Sequence, residues 1–174
     1  MAEGGPRGQH WLAPDAAGRL IAGAGVGPGD LVLDLGAGLG ALTIPLASRA
    51  GRVLAVERDP RLARRLARRC DDLGLGNVRV VERDIRTMPL PRRPFRVVAN
   101  LPFAGANAVL RRLLHPSVPL VGADVIVELG CARGWLEDTR WLGRHDLWIA
   151  SRVPKAAFTP RPSRDAAVLV VRPR

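Results

Sequence analysis

The segment LVLDLGAGLG, residues 31–40, decides the fold. Its first five residues are mostly apolar and predict a buried strand. The glycines at positions 36, 38 and 40 predict a tight turn that lets a ligand approach the backbone closely. Short apolar runs alternate with helical patterns in the sequence that follows, which is typical of a parallel sheet covered by helices on both faces. The sequence therefore predicts the α/β class.

The predicted elements extend along most of the 174 residues. Strands are predicted at residues 31–35, 53–56, 78–81, 96–99 and 124–128, and helices at residues 39–49, 60–73, 106–115 and 132–142. The last two strands, 147–153 and 166–171, are joined by a proline-rich connection without a predicted helix, so we expect them to pair antiparallel. We expect residues 1–174 to form one domain, with residues 1–10 partly flexible.

The chain is strongly basic, with 27 Lys plus Arg against 16 Asp plus Glu and a net charge of +11. Residues 1–50 carry three Arg and four acids (−1), residues 51–100 thirteen Arg and six acids (+7), and residues 101–174 eleven bases and six acids (+5). Such a surplus favours a polyanionic partner, because each neutralised phosphate releases counterions. The alternative is the arginine bias of a GC-rich genome.

Several classes of protein are disfavoured by the sequence. No apolar run reaches the roughly 18 to 20 residues of a membrane span, and the first eleven residues lack the apolar stretch of a signal peptide. Cys70 and Cys131 lie far apart, without the spacing of metal ligands. We therefore expect a cytoplasmic protein with no membrane partner and no metal.

The predicted strands end in residues that suit a nucleoside. Ligands of open parallel sheets bind at the carboxyl ends of the strands. Glu57 follows the second strand, where a carboxylate can accept hydrogen bonds from both ribose hydroxyls. Asp84 follows the third strand and could accept from an adenine amino group, with Ile85 beside it to pack on the ring. The structural alternatives are an ion pair of Glu57 with Arg58 or Arg61, and a turn role for Asp84.

The fourth strand ends in Asn100-Leu101-Pro102-Phe103, the most specific feature of the chain. Pro102 cannot continue a ladder and holds Leu101 extended, which can turn the Leu101 carbonyl outward. The Asn100 amide oxygen and this carbonyl can accept both hydrogens of an aromatic amine, while Phe103 stacks on its ring. Such acceptors direct the nitrogen lone pair at an electrophile without a strong base. The alternative is a proline turn that ends a strand.

Two arginine-rich segments are candidates for contact with RNA. Arg65 and Arg68 lie on the basic face of the predicted helix 60–73. A second candidate is the stiff proline-rich connection, which contributes Lys155, Phe158, Arg161 and Arg164. Both could grip phosphates, and the alternative for both is an ordinary solvated face or loop.

The motifs together resemble the ribosomal RNA adenine-N(6) methyltransferases, which include the erythromycin-resistance methyltransferases and the dimethyladenosine transferases. The segments that carry the resemblance are GQHWL (8–12), DLGAGLGALT (34–43), NLPF (100–103) and FTPRPSRDAAV (158–168), with Glu57 and Asp84. The resemblance covers residues 8–172. It implies a Rossmann-like class I S-adenosylmethionine-dependent fold: a seven-stranded, mostly parallel sheet with a C-terminal antiparallel strand pair.

The resemblance also implies roles for individual residues. The S-adenosylmethionine set is Gln9, His10, Leu12, Gly36, Gly38, Glu57, Arg58, Asp84, Ile85 and Asn100, of which the first three close over the cofactor. The target adenine would be held by Asn100, Leu101, Pro102 and Phe103.

Three departures from the family pattern concern the RNA side. Family members usually continue into a small helical RNA-binding domain, whereas this chain stops at Arg174, as in the short mycobacterial macrolide-resistance form. Residues 128–131 read Glu-Leu-Gly-Cys where Gln and Lys or Arg are common. Arg164 and Ala166 stand where Val and Ser are usual.

The sequence thus leads to one principal functional hypothesis. We expect a monomeric enzyme that transfers methyl from S-adenosylmethionine to an adenine amine of 23S rRNA and confers macrolide-type resistance. The alternatives are a small-subunit rRNA dimethyltransferase and a non-catalytic RNA-binding module on the same fold. A nicotinamide dehydrogenase is disfavoured, because the GxGxG spacing is one residue shorter than the dinucleotide motif.

Overall fold

A computed structural model describes residues 10–141 and 143–174. The strands are β1 (Trp11–Leu12), β2 (Leu31–Leu35), β3 (Arg52–Glu57), β4 (Val78–Glu82), β5 (Phe95–Asn100), β6 (Leu120–Glu128), β7 (His145–Val153), β8 (Phe158–Thr159) and β9 (Ala166–Pro173). The helices are α1 (Pro14–Gly23), α2 (Thr43–Ala47), α3 (Pro60–Asp72), α4 (Ala106–Leu113) and α5 (Leu129–Glu137), with a 3-10 turn at Lys155–Ala157.

Seven strands form one sheet in the order β4-β3-β2-β5-β6-β9-β7. The strands from β4 to β6 are parallel, whereas β9 pairs antiparallel with both β6 and β7. The predicted seven-stranded, mostly parallel sheet with a C-terminal antiparallel pair is therefore confirmed. The strand order reverses between β2 and β5, and this switch point opens a crevice at the carboxyl ends of the strands.

Helices cover both faces of the sheet. Leu33 and Val97 lie on the face that packs against α4 and α5, whose buried residues include Leu110 and Trp135. Side chains alternate between the two faces along each strand, so the opposite face is also apolar. It packs against α1 and α2. The buried strands are consequently almost continuous runs of apolar residues, as the sequence predicted.

Helix α3 has clear start and burial signals in the sequence. The Asp59 side chain caps it by accepting hydrogen bonds from two backbone amides of the first turn, and Pro60 occupies that turn. Leu62, Leu66 and Cys70 are buried at helical spacing. The prediction of residues 60–73 is confirmed to within one residue.

Other element predictions were less accurate. The predicted helix 39–49 is reduced to Thr43–Ala47, because the glycine loop extends into turns up to residue 42. Helix α5 begins at Leu129, three residues before the prediction, and ends at Glu137; residue 142, its predicted end, lies outside the described residues. Strand β6 begins at Leu120, four residues earlier than predicted.

The elements near the two ends of the chain were not predicted from the sequence. Helix α1 buries two alanines besides Leu20 and Ile21, and small residues give a weak periodic signal. Strands β1 and β8 pair antiparallel over two residues each, although about 146 residues separate them. The connection predicted without a helix contains the turn Lys155–Ala157. Residues 1–9, most of the segment predicted to be flexible, lie outside the described residues.

Candidate active site

The carboxyl ends of β2, β3, β4 and β5 open into a cavity of about 1130 Å³. Its lining includes twelve of the residues predicted to bind cofactor or target: His10, Leu12, Gly36, Gly38, Glu57, Arg58, Asp84, Ile85, Asn100, Leu101, Pro102 and Phe103. Gln9, the remaining member of the predicted cofactor set, lies outside the described residues. The cavity has the size and position expected for a nucleoside-containing ligand.

The glycine loop is held in a conformation that requires glycine. Gly36, Gly38 and Gly40 all have positive φ angles, of 84°, 55° and 88°. A Cβ atom at position 38 would lie 2.6 Å from Cζ3 of Trp11. The sequence analysis expected a ligand to need this close approach; at position 38 the ring of Trp11 occupies it. Trp11 is therefore a site residue that the sequence analysis did not single out.

Glu57 joins the glycine loop to the start of α3. Its carboxylate is 5% exposed and accepts hydrogen bonds from the backbone amides of Gly38 and Asp59, both at 2.8 Å. Each carboxylate oxygen has further acceptor capacity, so both can still accept from ribose hydroxyls. Within the described ranges Glu57 forms no ion pair with Arg58 or Arg61, and the ion-pair alternative is not what the structure shows.

Asp34 is a buried acid in the cavity wall that the sequence analysis quoted but did not assign. It is 1% exposed, and the Thr43 hydroxyl donates a hydrogen bond to its Oδ2 at 2.6 Å. Burial raises the pKa of Asp34 to about 7, and the Glu57 carboxylate adds to this shift, whereas the Thr43 hydrogen bond opposes it. The available signal was a single acid inside the otherwise apolar strand β2.

Asp84 both stabilises a turn and lines the cavity. Its carboxylate accepts from the backbone amide and the guanidinium of Arg86, with the shortest contact at 2.6 Å. These bonds lower the pKa of Asp84 to about 2, so this carboxylate is ionised at neutral pH. Ile85 packs against the core, and its carbonyl accepts a hydrogen bond from Arg112 of α4 at 2.6 Å. Arg86 and Arg112 are contributors that the sequence analysis did not identify.

The segment from Asn100 to Phe103 presents two acceptors and a ring. Asn100 donates from Nδ2 to the His10 carbonyl at 3.0 Å, and its Oδ1 accepts from no group of the described residues. The Leu101 amide donates to Ile126, while the Leu101 carbonyl has no donor within residues 10–141 and 143–174. Phe103 is half-buried at the cavity mouth, with its ring centre 5.7 Å from that of His10.

His10 connects the cavity to the proline-rich connection. Its Nδ1 lies 2.8 Å from the carbonyl of Pro160, and its ring stands edge-on to Phe158 at 6.4 Å. Strand β1 continues this contact by pairing Trp11 with Thr159 and Leu12 with Phe158. The segment expected to close over the cofactor is therefore attached to the loop expected to contact RNA.

The predicted RNA-contacting residues have different environments. Arg65, Arg68 and Arg161 are exposed. Phe158 is 2% exposed and belongs to the core cluster that contains Leu12. The prediction that Phe158 contacts RNA is therefore wrong for this structure, because its ring is covered by the β1–β8 pairing.

The two other predicted cations already have partners in the protein. Lys155 donates to the carbonyl of Ser163 at 2.7 Å and lies 3.7 Å from the Asp165 carboxylate. Arg164 forms an ion pair with Glu128 at 2.6 Å. Glu128 and Arg164 are both departures from the family pattern, and the structure shows that each is the partner of the other.

In the part of the chain that the structure describes, no three His, Cys, Asp or Glu side chains are arranged to hold a metal ion. Over the same residues, no helix has the length and apolar character needed to cross a membrane.

The sheet order, the antiparallel last strand and the cavity beside a glycine loop define a Rossmann-like class I methyltransferase fold. The family model for ribosomal RNA adenine dimethylase matches residues 8–174. The chain belongs to this family.

Individual relatives agree with that assignment. A probable ribosomal RNA small subunit methyltransferase A from Methanosarcina barkeri is 34% identical, over 99% of this chain and 62% of the relative. An rRNA adenine N-6-methyltransferase from Bacillus licheniformis is 32% identical, over 80% of this chain and 51% of the relative. The chain thus spans between about half and two thirds of the length of these relatives.

Solved structures agree on the fold. The crystal structure of the 23S rRNA methyltransferase ErmE superposes with a TM-score of 0.84 at 30% identity, covering 92% of this chain and 68% of that one. A dimethyladenosine transferase from Plasmodium falciparum gives a TM-score of 0.83 at 23% identity, over 95% and 64% of the two chains. At that identity the second similarity supports the fold alone.

Proposed function

We propose that this chain is an S-adenosylmethionine-dependent enzyme that methylates the exocyclic amine of an adenine in ribosomal RNA. The observation that carries the proposal is the cluster of two free acceptors and one ring at the mouth of the cavity. Asn100 Oδ1 and the Leu101 carbonyl suit the two hydrogens of an amine, and Phe103 suits the face of a base.

The cavity residues fit S-adenosylmethionine. Glu57 offers acceptors for the ribose hydroxyls, Asp84 an ionised acceptor for the adenine amino group, and Ile85 an apolar surface for the ring. The cofactor, when bound, supplies an electrophilic methyl group on sulfur. The protein itself supplies a buried wall that excludes water and, through Glu57 and the glycine loop, a fixed position for the ligand.

The residues of the chain position the amine rather than deprotonate it first. The amine hydrogens bonded to Asn100 and Leu101 favour a more tetrahedral nitrogen, whose lone pair then points at the methyl carbon. A carbon–nitrogen bond forms as the carbon–sulfur bond breaks, and the nitrogen becomes cationic. Its proton is then lost to solvent, so no strong base is needed. The acids among the described cavity residues are Asp34, Glu57, Asp59 and Asp84, and this scheme needs none of them as a base.

We propose 23S rRNA as the substrate, with macrolide-type resistance as the consequence. The likeness to the 23S rRNA methyltransferase ErmE at 30% identity supports this choice. The second candidate is small-subunit rRNA, which the 34% identical relatives named for that subunit favour. An rRNA substrate of either kind implies action in the cytoplasm. We further propose a monomer, which sedimentation velocity would test.

Mapping the methylated nucleotide tests the proposal. The purified chain is incubated with labelled S-adenosylmethionine and with 23S rRNA, 16S rRNA and ribosomal assembly precursors, and the labelled position is mapped by primer extension. We expect label in a 23S adenine and a raised erythromycin tolerance of cells that express the chain. Label only in 16S rRNA would establish the second candidate. No label in any adenine, with RNA binding retained, would identify a non-catalytic RNA-binding module.

A further inference from the structure

A second groove lies on the face of the sheet that carries α1, away from the cofactor cavity. It has a volume of about 160 Å³ and runs between α1 and the edge strand β7. Leu20 and Val170 line its apolar part. Arg19, Trp148, Arg152 and Arg172 provide its polar and aromatic part. Neither the methyl transfer nor the predicted RNA-binding residues involve this groove.

Trp148 is the unusual side chain of the groove. It is 42% exposed, although it lies in a strand and pairs with the buried Val170. The guanidinium of Arg172 lies 5.8 Å from its ring centre. Asp124 fixes Arg172 through contacts of 2.8 and 3.0 Å. The charge of Arg172 is therefore matched inside the protein, and this arginine supports the ring rather than offering a free cation.

Arg19 and Arg152 carry the uncompensated charge. Both are exposed, and neither forms a hydrogen bond or ion pair with another side chain in the described part of the molecule. Among the described residues that line the groove, the only acid is Asp124, which already pairs with Arg172. Two free cations beside an exposed indole ring match an RNA strand, since the cations suit phosphates and the ring suits a base.

The groove extends toward the edge of the sheet at which the proposed reaction takes place. Strand β7 is parallel to β6, because both pair antiparallel with β9, so Val153 lies at the same edge of the sheet as Asn100. Pro154 follows directly and leads into the proline-rich connection. Helix α1 separates the two cavities, with Gly18 lining the cofactor cavity and Arg19 lining the groove.

We propose that this groove binds a single-stranded stretch of ribosomal RNA that flanks the target adenine. Arg19 and Arg152 contact phosphates, and a base stacks on the exposed face of Trp148. This inference rests on the proposed function for the identity of the RNA. An uncharged apolar partner would leave the two arginines unused, and for this reason the groove favours RNA over a protein segment.

The test compares charge reversals of equal size at two places. The variant R19E/R152E changes the groove. The control R92E/R93E changes two exposed arginines that precede β5, at the edge of the sheet opposite Asn100. Filter binding with 23S and 16S rRNA transcripts is measured at several salt concentrations. We expect R19E/R152E to bind the transcripts at least about tenfold more weakly than the control does. The slope of the logarithm of its binding constant against the logarithm of salt concentration should be smaller in magnitude by about two, because two phosphate contacts are lost.

Substitutions at Trp148 test the stacking contact. We expect W148A to lose about tenfold in affinity for the transcripts and W148F to retain most of it, because the aromatic ring carries the interaction. Affinity for S-adenosylmethionine, measured by calorimetry, should be unchanged in all four variants and reports correct folding. Sedimentation of W148A is measured in parallel, because an exposed tryptophan could also contact a second copy of the chain.

The outcomes separate this inference from the proposed function. Equal RNA affinity for R19E/R152E and R92E/R93E overturns the inference, even where the wild type methylates rRNA. A W148A variant that binds RNA normally but sediments differently also overturns it in favour of an interface between copies. A third outcome is that the wild type methylates no adenine while RNA binding is weakened in the groove variants and not in the control. That result contradicts the proposed function and supports RNA binding in the groove.

Discussion

The proposed cofactor side and the proposed RNA side of the molecule are built differently. The proposed cofactor side consists of the carboxyl ends of β2, β3 and β4 and the loops that follow them, where Asp34 and Glu57 are buried and Glu57 binds backbone amides. The proposed RNA side consists of Glu128 and residues 155–165, where charged side chains at the surface pair with one another. Buried groups bonded to the backbone cannot move without disrupting the fold, whereas surface ion pairs contribute only about 0 to 1 kcal/mol each.

This difference suits the two sides to different functions. A rigid cofactor side can hold a small ligand in one position without rearrangement. The RNA side can exchange an internal carboxylate for a phosphate at small cost, because the two are similar partners for an arginine. Substitutions on the cofactor side should therefore have large effects on stability and cofactor binding, and those on the RNA side small effects confined to RNA.

The largest effect is expected from the buried acid. The pKa of Asp34 is raised from 3.8 to about 7, so the folded state holds this proton more tightly than the unfolded chain does. Its contribution to the free energy of unfolding is therefore complete below about pH 4 and is lost as pH rises to about 7. Asp34→Asn should remove this dependence of the free energy of unfolding on pH, which amounts to a few kcal/mol between about pH 4 and pH 7.

Urea unfolding between pH 4 and pH 8 measures the slope of this dependence. Thr43→Ser is the control, since it keeps the hydroxyl that donates to Asp34 and should keep the slope at a lower overall stability. An Asp34→Asn protein with the wild-type slope would refute the assignment of the pH dependence to this carboxyl.

The next largest effect concerns the target end of the cavity. Asn100→Ala removes one of the two acceptors that position the amine and should lower the rate of methyl transfer about 100-fold, by analogy with the loss of one positioned hydrogen-bonding group elsewhere. Single-turnover transfer to rRNA gives the rate, and calorimetry gives cofactor affinity as a folding control. An unchanged rate would exclude Asn100 from the positioning of the amine.

The glycine loop provides the third prediction. Gly38→Ala places a Cβ atom 2.6 Å from the ring of Trp11 on a residue with φ of 55°. We expect about a 30-fold loss of S-adenosylmethionine affinity, from strain of about 2 kcal/mol. Gly76→Ala is the matched control, because no atom lies within 4 Å of its added Cβ. Equal affinity of the two variants would show that the loop adapts freely.

The fourth prediction concerns the predicted RNA contacts on helix α3 and on the RNA side. Charge reversal at Arg65 and Arg68, or at Arg161 and Arg164, should weaken rRNA binding several-fold and leave cofactor affinity unchanged. Filter binding and calorimetry measure the two affinities. If both double variants bind rRNA like the wild type, the arginine surplus reflects genome composition rather than function.

The smallest expected effect concerns the ion pair between Glu128 and Arg164. Glu128→Gln removes the charge that holds Arg164 at 2.6 Å and should raise rRNA affinity about two- to fivefold, the range that a surface ion pair permits. The double variant with Arg164→Gln should cancel the gain. A gain that persists without Arg164 would mean that Glu128 acts only through its own repulsion of RNA.

The same division explains what the sequence could predict. The glycine loop, Glu57 and α3 depend on local signals: positive-φ glycines, a strand end and a capped amphipathic helix. The position of Phe158 depends on pairing with Leu12, across almost the whole chain, and no local pattern reports such a contact. The Glu128–Arg164 pair was likewise visible only as two separate departures from a family pattern. Helix α1 was missed because alanines supply half of its buried face.

In the proposed reaction, the amine of an adenine is methylated while it is bound to the acceptors of Asn100 and Leu101. Nucleoside mass spectrometry of rRNA, after incubation with S-adenosylmethionine and either the wild type or Asn100→Ala, tests it most directly. We expect N6-methylated adenosine with the wild type and about 100-fold less with the variant at early times. Methylation of any other base or ring position, or equal N6-methylation by both proteins, would contradict it.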